Sequence, residues 1–264
     1  VDGLTGNSDL KVQSDPKGAL MYMAANAADP ILGNSKVALA LRYLVDYEGM
    51  VNSFLKGQYN IHQAAWPSGL WGAYNKTPFS LDVGKAKELL AEAGYANGFE
   101  ISIDTLNASP FPEVAQSIQA TLAQAGIKAS ITTAEGKTLW PMYRARKHQL
   151  ILARWSPDYT DPHSNLDAFA RNPDNRIEAK LTGVLAWRNA WQKDEMNAMV
   201  DAARNEGDLD TREQLYHEIQ ASLQLDSPYV VMFQQTEASV LRKDVKDYVS
   251  GSLFDLIFYR NINK

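Results

Sequence analysis

The chain has 264 residues, 45% of them apolar and 22% charged, with no Cys and a formal net charge of -5. A chain of this size buries about three quarters of its unfolded surface, so its core needs no cross-links. The lack of thiols excludes cysteine nucleophiles, thiolate zinc sites and thiolate-held iron–sulfur clusters, and the acidic balance excludes the basic face of a nucleic-acid binder.

The densest basic stretch, Arg144, Arg146, Lys147 and His148, reads as a solvated helix end. No apolar run approaches the roughly 18 residues of a membrane span. The first residue is Val1, with no charged and apolar leader before it, which reads as a processed or cleaved chain.

In chain order, residues 1–34 mix Gly, Asn, Asp and Pro around one short extended segment at 20–23 and read as an entry segment rather than a domain. From 35, apolar residues at Val37, Leu41, Leu44 and Val45 follow helical spacing, and Asp46 caps a second helix carrying Met50, Val51, Phe54 and Leu55. Residues 58–81, with His62, Trp66, Trp71 and Tyr74, show neither period and read as a long ordered loop. Asp82 caps a one-sided helix closed by Gly94.

The middle of the chain alternates between the two periods. Residues 100–104 read as a strand, 111–125 as a helix with Val114, Ile118 and Leu122 on one face, and 127–131 as a strand. A short helix at 138–147 and a buried strand at 150–153 follow. This alternation with short links predicts an α/β fold with a mainly parallel sheet flanked by helices. Residues 156–192 are non-periodic and too long for a simple connection. Helices are predicted at 193–205 and 211–224, the second with Asp210 as its cap and Glu213 reaching back, and then a strand at 229–233. The chain thus divides into the entry segment, a main α/β unit over 35–235 and a tail over 236–264, whose residues 254–259 are unusually apolar for a terminus.

Signatures of nucleotide binding, serine hydrolysis, zinc proteolysis and calcium loops are absent from the sequence. What stands out is Arg154-Trp155-Ser156-Pro157-Asp158-Tyr159-Thr160-Asp161-Pro162-His163, which begins where a strand ends. In open parallel sheets ligands bind beyond the carboxyl ends of strands. Asp158 is a candidate fixed anion for a ligand ammonium, Trp155 and Tyr159 are candidate apolar walls, and Arg154 opens the segment. The same residues also fit a capped turn with a core Trp, and Asp158, Asp161 and His163 fall short of a complete metal-ligand set. No catalytic residue, metal or cofactor is assigned.

Four stretches resemble the family 5 extracellular solute-binding proteins of ABC importers, the dipeptide and oligopeptide type. They are residues 35–46, the Asp82 to Tyr95 helix with its Lys85-Ala86-Lys87 and Glu92-Ala93-Gly94, the Trp155/Asp158/Tyr159/Asp161/Pro162 loop, and Arg212/Leu215/Tyr216 followed by Asp226-Ser227-Pro228. Ala38-Leu39 and the 171–192 stretch depart from the pattern. The resemblance implies the C-terminal lobe of a type II, cluster C clamshell receptor, with 1–34 as an inter-lobe segment, 35–235 as the ligand-binding lobe, 236–264 as a tail returning toward the N-terminal lobe, and that N-terminal lobe as its partner. It also implies a periplasmic or lipid-anchored extracellular location, delivery of a peptide or peptide-like solute to a membrane permease, and the peptide ammonium on Asp158. Nickel chelates, opines, oligosaccharides and haem are the family's other cargoes. A hydrolase or transferase using Asp158 and Asp161, or a sensing module on the same fold, are the competing readings.

Overall fold

The computed structural model describes residues 4, 6–253 and 256–264. Its sheet is organised around β1 (Leu10–Ala25), in which residues 17–25 are all buried. An apolar run without alternation is what a strand covered on both faces requires. Its side chains still alternate, so Met21, Met23 and Ala25 enter one core while Leu20, Tyr22 and Ala24 enter the other.

The first core is closed by α1 (Ser35–Arg42), α2 (Tyr47–Asn52), α3 (Val83–Glu92) and α4 (Phe111–Gln124). Val37, Leu41, Leu90, Val114, Ile118 and Leu122 are the inward residues, as their spacing predicts. Asp46 and Asp82 are caps, accepting from the amides of Gly49 and Lys85 at 2.9 and 2.8 Å. The second core is closed by α5 (Gly136–Arg144), α6 (His163–Ala170), α7 (Leu185–Arg188), α8 (Asp194–Asn205) and α9 (Leu209–Leu225).

The remaining strands are β2 (Tyr59–Ile61), β3 (Glu100–Leu106), β4 (Lys128–Ala134), β5 (Leu150–Trp155) and β6 (Tyr229–Arg242), in the order β2-β6-β1-β5-β3-β4. β3 is parallel to β4 and to β5. The path from β3 to β4 steps outward through α4, and the path from β4 to β5 steps back through α5. Right-handed crossovers in opposite directions put those two helices on opposite faces. β1, β6 and β2 pair antiparallel.

The sheet is thus mixed, a correction to the mainly parallel sheet read from 100–153. Its cause is β1: the expected short segment at 20–23 is the inner end of a sixteen-residue strand pairing with β5 and β6. Likewise the strand expected at 229–233 runs on to Arg242. The outer parts of β1 and β6, paired from Leu10↔Arg242 to Pro16↔Thr236, leave the sheet as a two-stranded ribbon about 20 Å long.

Other local differences have equally local causes. Asp208, not Asp210, caps α9 by accepting from the Thr211 amide at 2.9 Å. The basic stretch is not simply solvated: Arg146 stacks 3.8 Å from the Trp187 ring, and His148 is buried against Asn189 at 3.0 Å. The aperiodic stretch 58–81 is held by buried glutamine amides, Gln63 on both polar groups of Phe79, Gln220 on the Gly72 carbonyl and Gln224 on Lys76. These side chains satisfy backbone groups that no ladder pairs. Of the apolar tail, Phe254 and Asp255 lie outside the described residues, while Leu256, Phe258 and Tyr259 are exposed.

Candidate functional site

Because β3, β4 and β5 run parallel, their carboxyl ends share one edge of the sheet, and the segment after Trp155 leaves from there. β1 enters at the same edge, with Leu20 opposite both Trp155 and Gln234. Just before Leu20 its register slips between Pro16 and Leu20. Gly18 in that slip lies so close to the segment that an added Cβ would stand 2.9 Å from Cδ of Pro157, which is buried. The Gln234 amide ties the Lys17 carbonyl to Ser68 at 2.9 and 3.1 Å. The root of the segment is therefore clamped by three other pieces of chain.

The four residues singled out in the sequence fall in a short arc at this edge. Arg154 is exposed. Trp155 is half-buried: its indole N–H donates to Asn165 Oδ1 at 3.2 Å, and its ring meets Phe169 edge-on at 6.3 Å. Asn165 is itself buried and donates to the Ala65 carbonyl at 2.7 Å, so α6 fixes the indole. The Asp158 amide donates to Ser164 Oγ at 2.8 Å, which sets the backbone of the turn. The Asp158 carboxylate is exposed, and among the described residues it has no ion pair and no hydrogen bond. Tyr159 is 47% exposed. Partial burial and the nearby carboxylates push its phenol up, so it stays neutral and able to donate.

Asp161 is built differently. Its two oxygens accept from Arg212 at 2.8 and 2.9 Å, and one also accepts from the His163 amide at 3.0 Å. Burial alone would raise its carboxyl, but the guanidinium and the amide outweigh burial and hold it below the usual carboxylate range. Arg212 is oriented in turn by the Ala203 carbonyl and the Tyr216 hydroxyl, and lies 5.3 Å from the Trp71 ring. Pro162 sits over Gly72, whose φ of +75° and the 2.7 Å between an added Cβ and Pro162 Cγ leave no room for a side chain. The far end of the segment is thus anchored as firmly as its root.

The two acids of the segment thus have different partners. Asp161 is bound to Arg212, so Asp158 and Asp161 do not form a pair sharing one proton. His163 is kept mainly neutral by burial, 4.0 Å from Asp167. Among the described residues no three His, Asp or Glu side chains converge as a metal set. Arg212 and Arg188, which stands 5.7 Å from the Trp155 ring, were not identified from the sequence as site residues. The only local hint of Arg212's role is its four-residue spacing from Tyr216, which puts the two on one helix face.

Residues 1–176 match the profile of bacterial extracellular solute-binding proteins, family 5 Middle. The chain belongs to this family. It is 24% identical over 268 residues to the probable D,D-dipeptide-binding periplasmic protein DdpA of Escherichia coli, covering 100% of this chain and 49% of that protein. Among solved structures, HbpA2 from Haemophilus parasuis superposes with a TM-score of 0.87 at 25% identity, over 99% of this chain and 51% of the other. The periplasmic binding protein DppA from Helicobacter pylori, in complex with the peptide STSA, gives 0.82 at 25%, over 96% and 48%. The fold is thus that of a lobe of the family 5 solute-binding proteins, and the chain spans about half the length of the relatives it matches.

Proposed function

We propose that this chain supplies one lobe of a periplasmic receptor that captures a peptide or peptide-like solute and delivers it to the membrane permease of an ABC importer. The observation that carries the reading is the exposed, unpartnered Asp158 carboxylate on a segment anchored at both ends. A carboxylate held in place before the ligand arrives loses little freedom on binding, so its charge-assisted bond to an ammonium is retained nearly in full. Trp155 and Tyr159 flank it and limit competing water, and Arg154 lies on the rim. The kinship with a protein solved around a peptide supports the same ligand class.

Such a receptor needs no bond making. A solute gripped between this lobe and the second lobe is bound better in the closed form than in the open one, and that difference in affinity shifts the population towards closure. In this reading the paired β1/β6 ribbon beyond the site leads to the second lobe. Asp161, the other carboxylate of the segment, serves the fold rather than proton transfer.

The test is calorimetric titration of dipeptides into the complete two-lobed protein and its Asp158→Asn variant. Loss of one charge-assisted contact predicts about 10- to 100-fold weaker binding, with unchanged thermal stability. Equal affinity would place the anion that receives the ammonium elsewhere. The single lobe described here, offering half of the contacts, is expected to bind at best weakly; submicromolar affinity for it alone would contradict the two-lobe account.

A further inference from the structure

After β6 the chain turns back along the ribbon that it has just formed with β1. Lys11 Nζ donates to the Val245 carbonyl, the Ser239 and Tyr248 hydroxyls meet at 2.9 Å, and Lys17 Nζ donates to Ser250 Oγ and, at 3.0 Å, to the Gly251 carbonyl. Lys11 is paired with Leu241 and Gln13 with Ser239, so these ties follow one another from the outer end of the ribbon to its root. Residues 245–252 therefore form a strap laid along β1 and β6.

Lys17 closes the inner end of the strap. It lies in the register slip of β1 and is 3% exposed. Besides its two acceptors on the strap, its ammonium meets Glu237 Oε2 of β6 at 2.7 Å. An ammonium has three donors and no acceptor, so this buried cation is satisfied in full by the strap and the partner strand together. The next residue carries the tie onward. The Gly18 amide donates to the Ser252 carbonyl, and the place where a Cβ would stand is 2.9 Å from Pro157 Cδ and 3.2 Å from that same carbonyl. Pro157 is buried, and Asp158 follows it with its amide on Ser164 Oγ. One unbroken set of contacts thus runs from the ribbon through the strap and Gly18 to the turn that carries the Asp158 carboxylate.

We infer that Lys17 is a positioning residue: by pinning the strap over Gly18 it holds Pro157, and through Pro157 the Asp158 turn, in register with the β1/β6 ribbon. A slip in register leaves part of the strand without ladder bonds and free to bend. The pinned strap removes that freedom at the root of the ribbon, so that a bend there and a shift of the Asp158 turn become one event. Lys17 acts through the Gly18–Pro157 contact rather than on the solute. Its hold on the turn rests on these contacts alone, whereas its effect on affinity rests also on the proposed role of Asp158.

The test is amide hydrogen exchange in the complete two-lobed protein without ligand, followed by titration with alanyl-phenylalanine. Lys17→Met keeps the stem and removes the donors, and the acceptors it abandons are partly exposed and can turn to water. Exchange in 156–160 is expected to rise about 10-fold, while 150–153 in the middle of the sheet stays unchanged; Lys17→Arg should restore part of the protection. Should Lys17→Met not fold, Ser250→Ala removes a single acceptor and should give the same local pattern at about 3-fold. Exchange unchanged at 156–160, or raised equally throughout the lobe as a merely structural role requires, overturns the inference. In the titration Lys17→Met should weaken binding about 10-fold, and make no further difference in the Asp158→Asn background. Faster exchange at 156–160 together with full affinity in both single variants keeps the hold of Lys17 on the turn and overturns the role of Asp158. Full affinity in Lys17→Met beside a weakened Asp158→Asn overturns the coupling of Lys17 to the site and leaves Asp158 in its role.

Discussion

Asp161 accepts two hydrogen bonds from Arg212 and one from the His163 amide, whereas Asp158, on the same loop, lends only its backbone amide to the fold. The loop therefore separates two jobs that a carboxylate can do. A half-buried acid with a bidentate partner fixes geometry, and an exposed acid without a partner is free to hold something that arrives later. The arginines repeat the division, Arg212 being paired and Arg188 open. Of the open pair, only Asp158 is free of side-chain ties to the fold, since Arg188 still donates to the Thr182 carbonyl.

The largest effect should come from breaking the closed set. Arg212→Ala leaves Asp161 half-buried without its cation and removes the contacts to Ala203, Tyr216 and Trp71, which predicts about 3 kcal/mol of lost stability. Urea unfolding measures it, and a loss below 0.5 kcal/mol would mean that the pair is not structural. Asp158→Asn should do the opposite, weakening dipeptide binding about 10- to 100-fold with a stability change within about 0.5 kcal/mol. A destabilisation comparable to that of Arg212→Ala would erase the contrast between the two acids.

Gly72→Ala probes the contact that seats Pro162. Its positive φ and the 2.7 Å approach to Pro162 predict a cost of about 1–2 kcal/mol, read as a lowered melting temperature. The smallest expected effect is on pH dependence. The Asp161 carboxyl is held below its unfolded value, so its contribution to stability is present above about pH 4 and is lost as pH falls through the folded value. Asp161→Asn should flatten that part of the acid limb; an unchanged slope below pH 4 would assign it to other groups.

Much of this was legible in the sequence where the cause is local. The caps Asp46 and Asp82 and the Val114/Ile118/Leu122 stripe depend on neighbours within a few residues, and they stand where they were expected. β1 was shortened in the reading because Pro16 and Gly18 resemble breakers and the buried run after them lacks alternation. Its partner β6 lies more than 200 residues away, beyond any pattern-based inference. The Asp158 segment stands out in the sequence because an acid between aromatic residues at a strand end is chemically distinctive, and the structure leaves its carboxylate exposed. That Asp161 is taken by Arg212, 51 residues on, and that Arg188 stays open beside Trp155 are tertiary facts with no local signature.

The most direct test of the role of Asp158 is a coupling measurement: a dipeptide and its N-acetylated form titrated into the wild-type protein and into Asp158→Asn. Acetylation is predicted to weaken binding about 10- to 100-fold in the wild-type protein and to make little further difference once the carboxylate is gone. An equal penalty for acetylation in both proteins would contradict the account, because the ammonium would then be held by some other group.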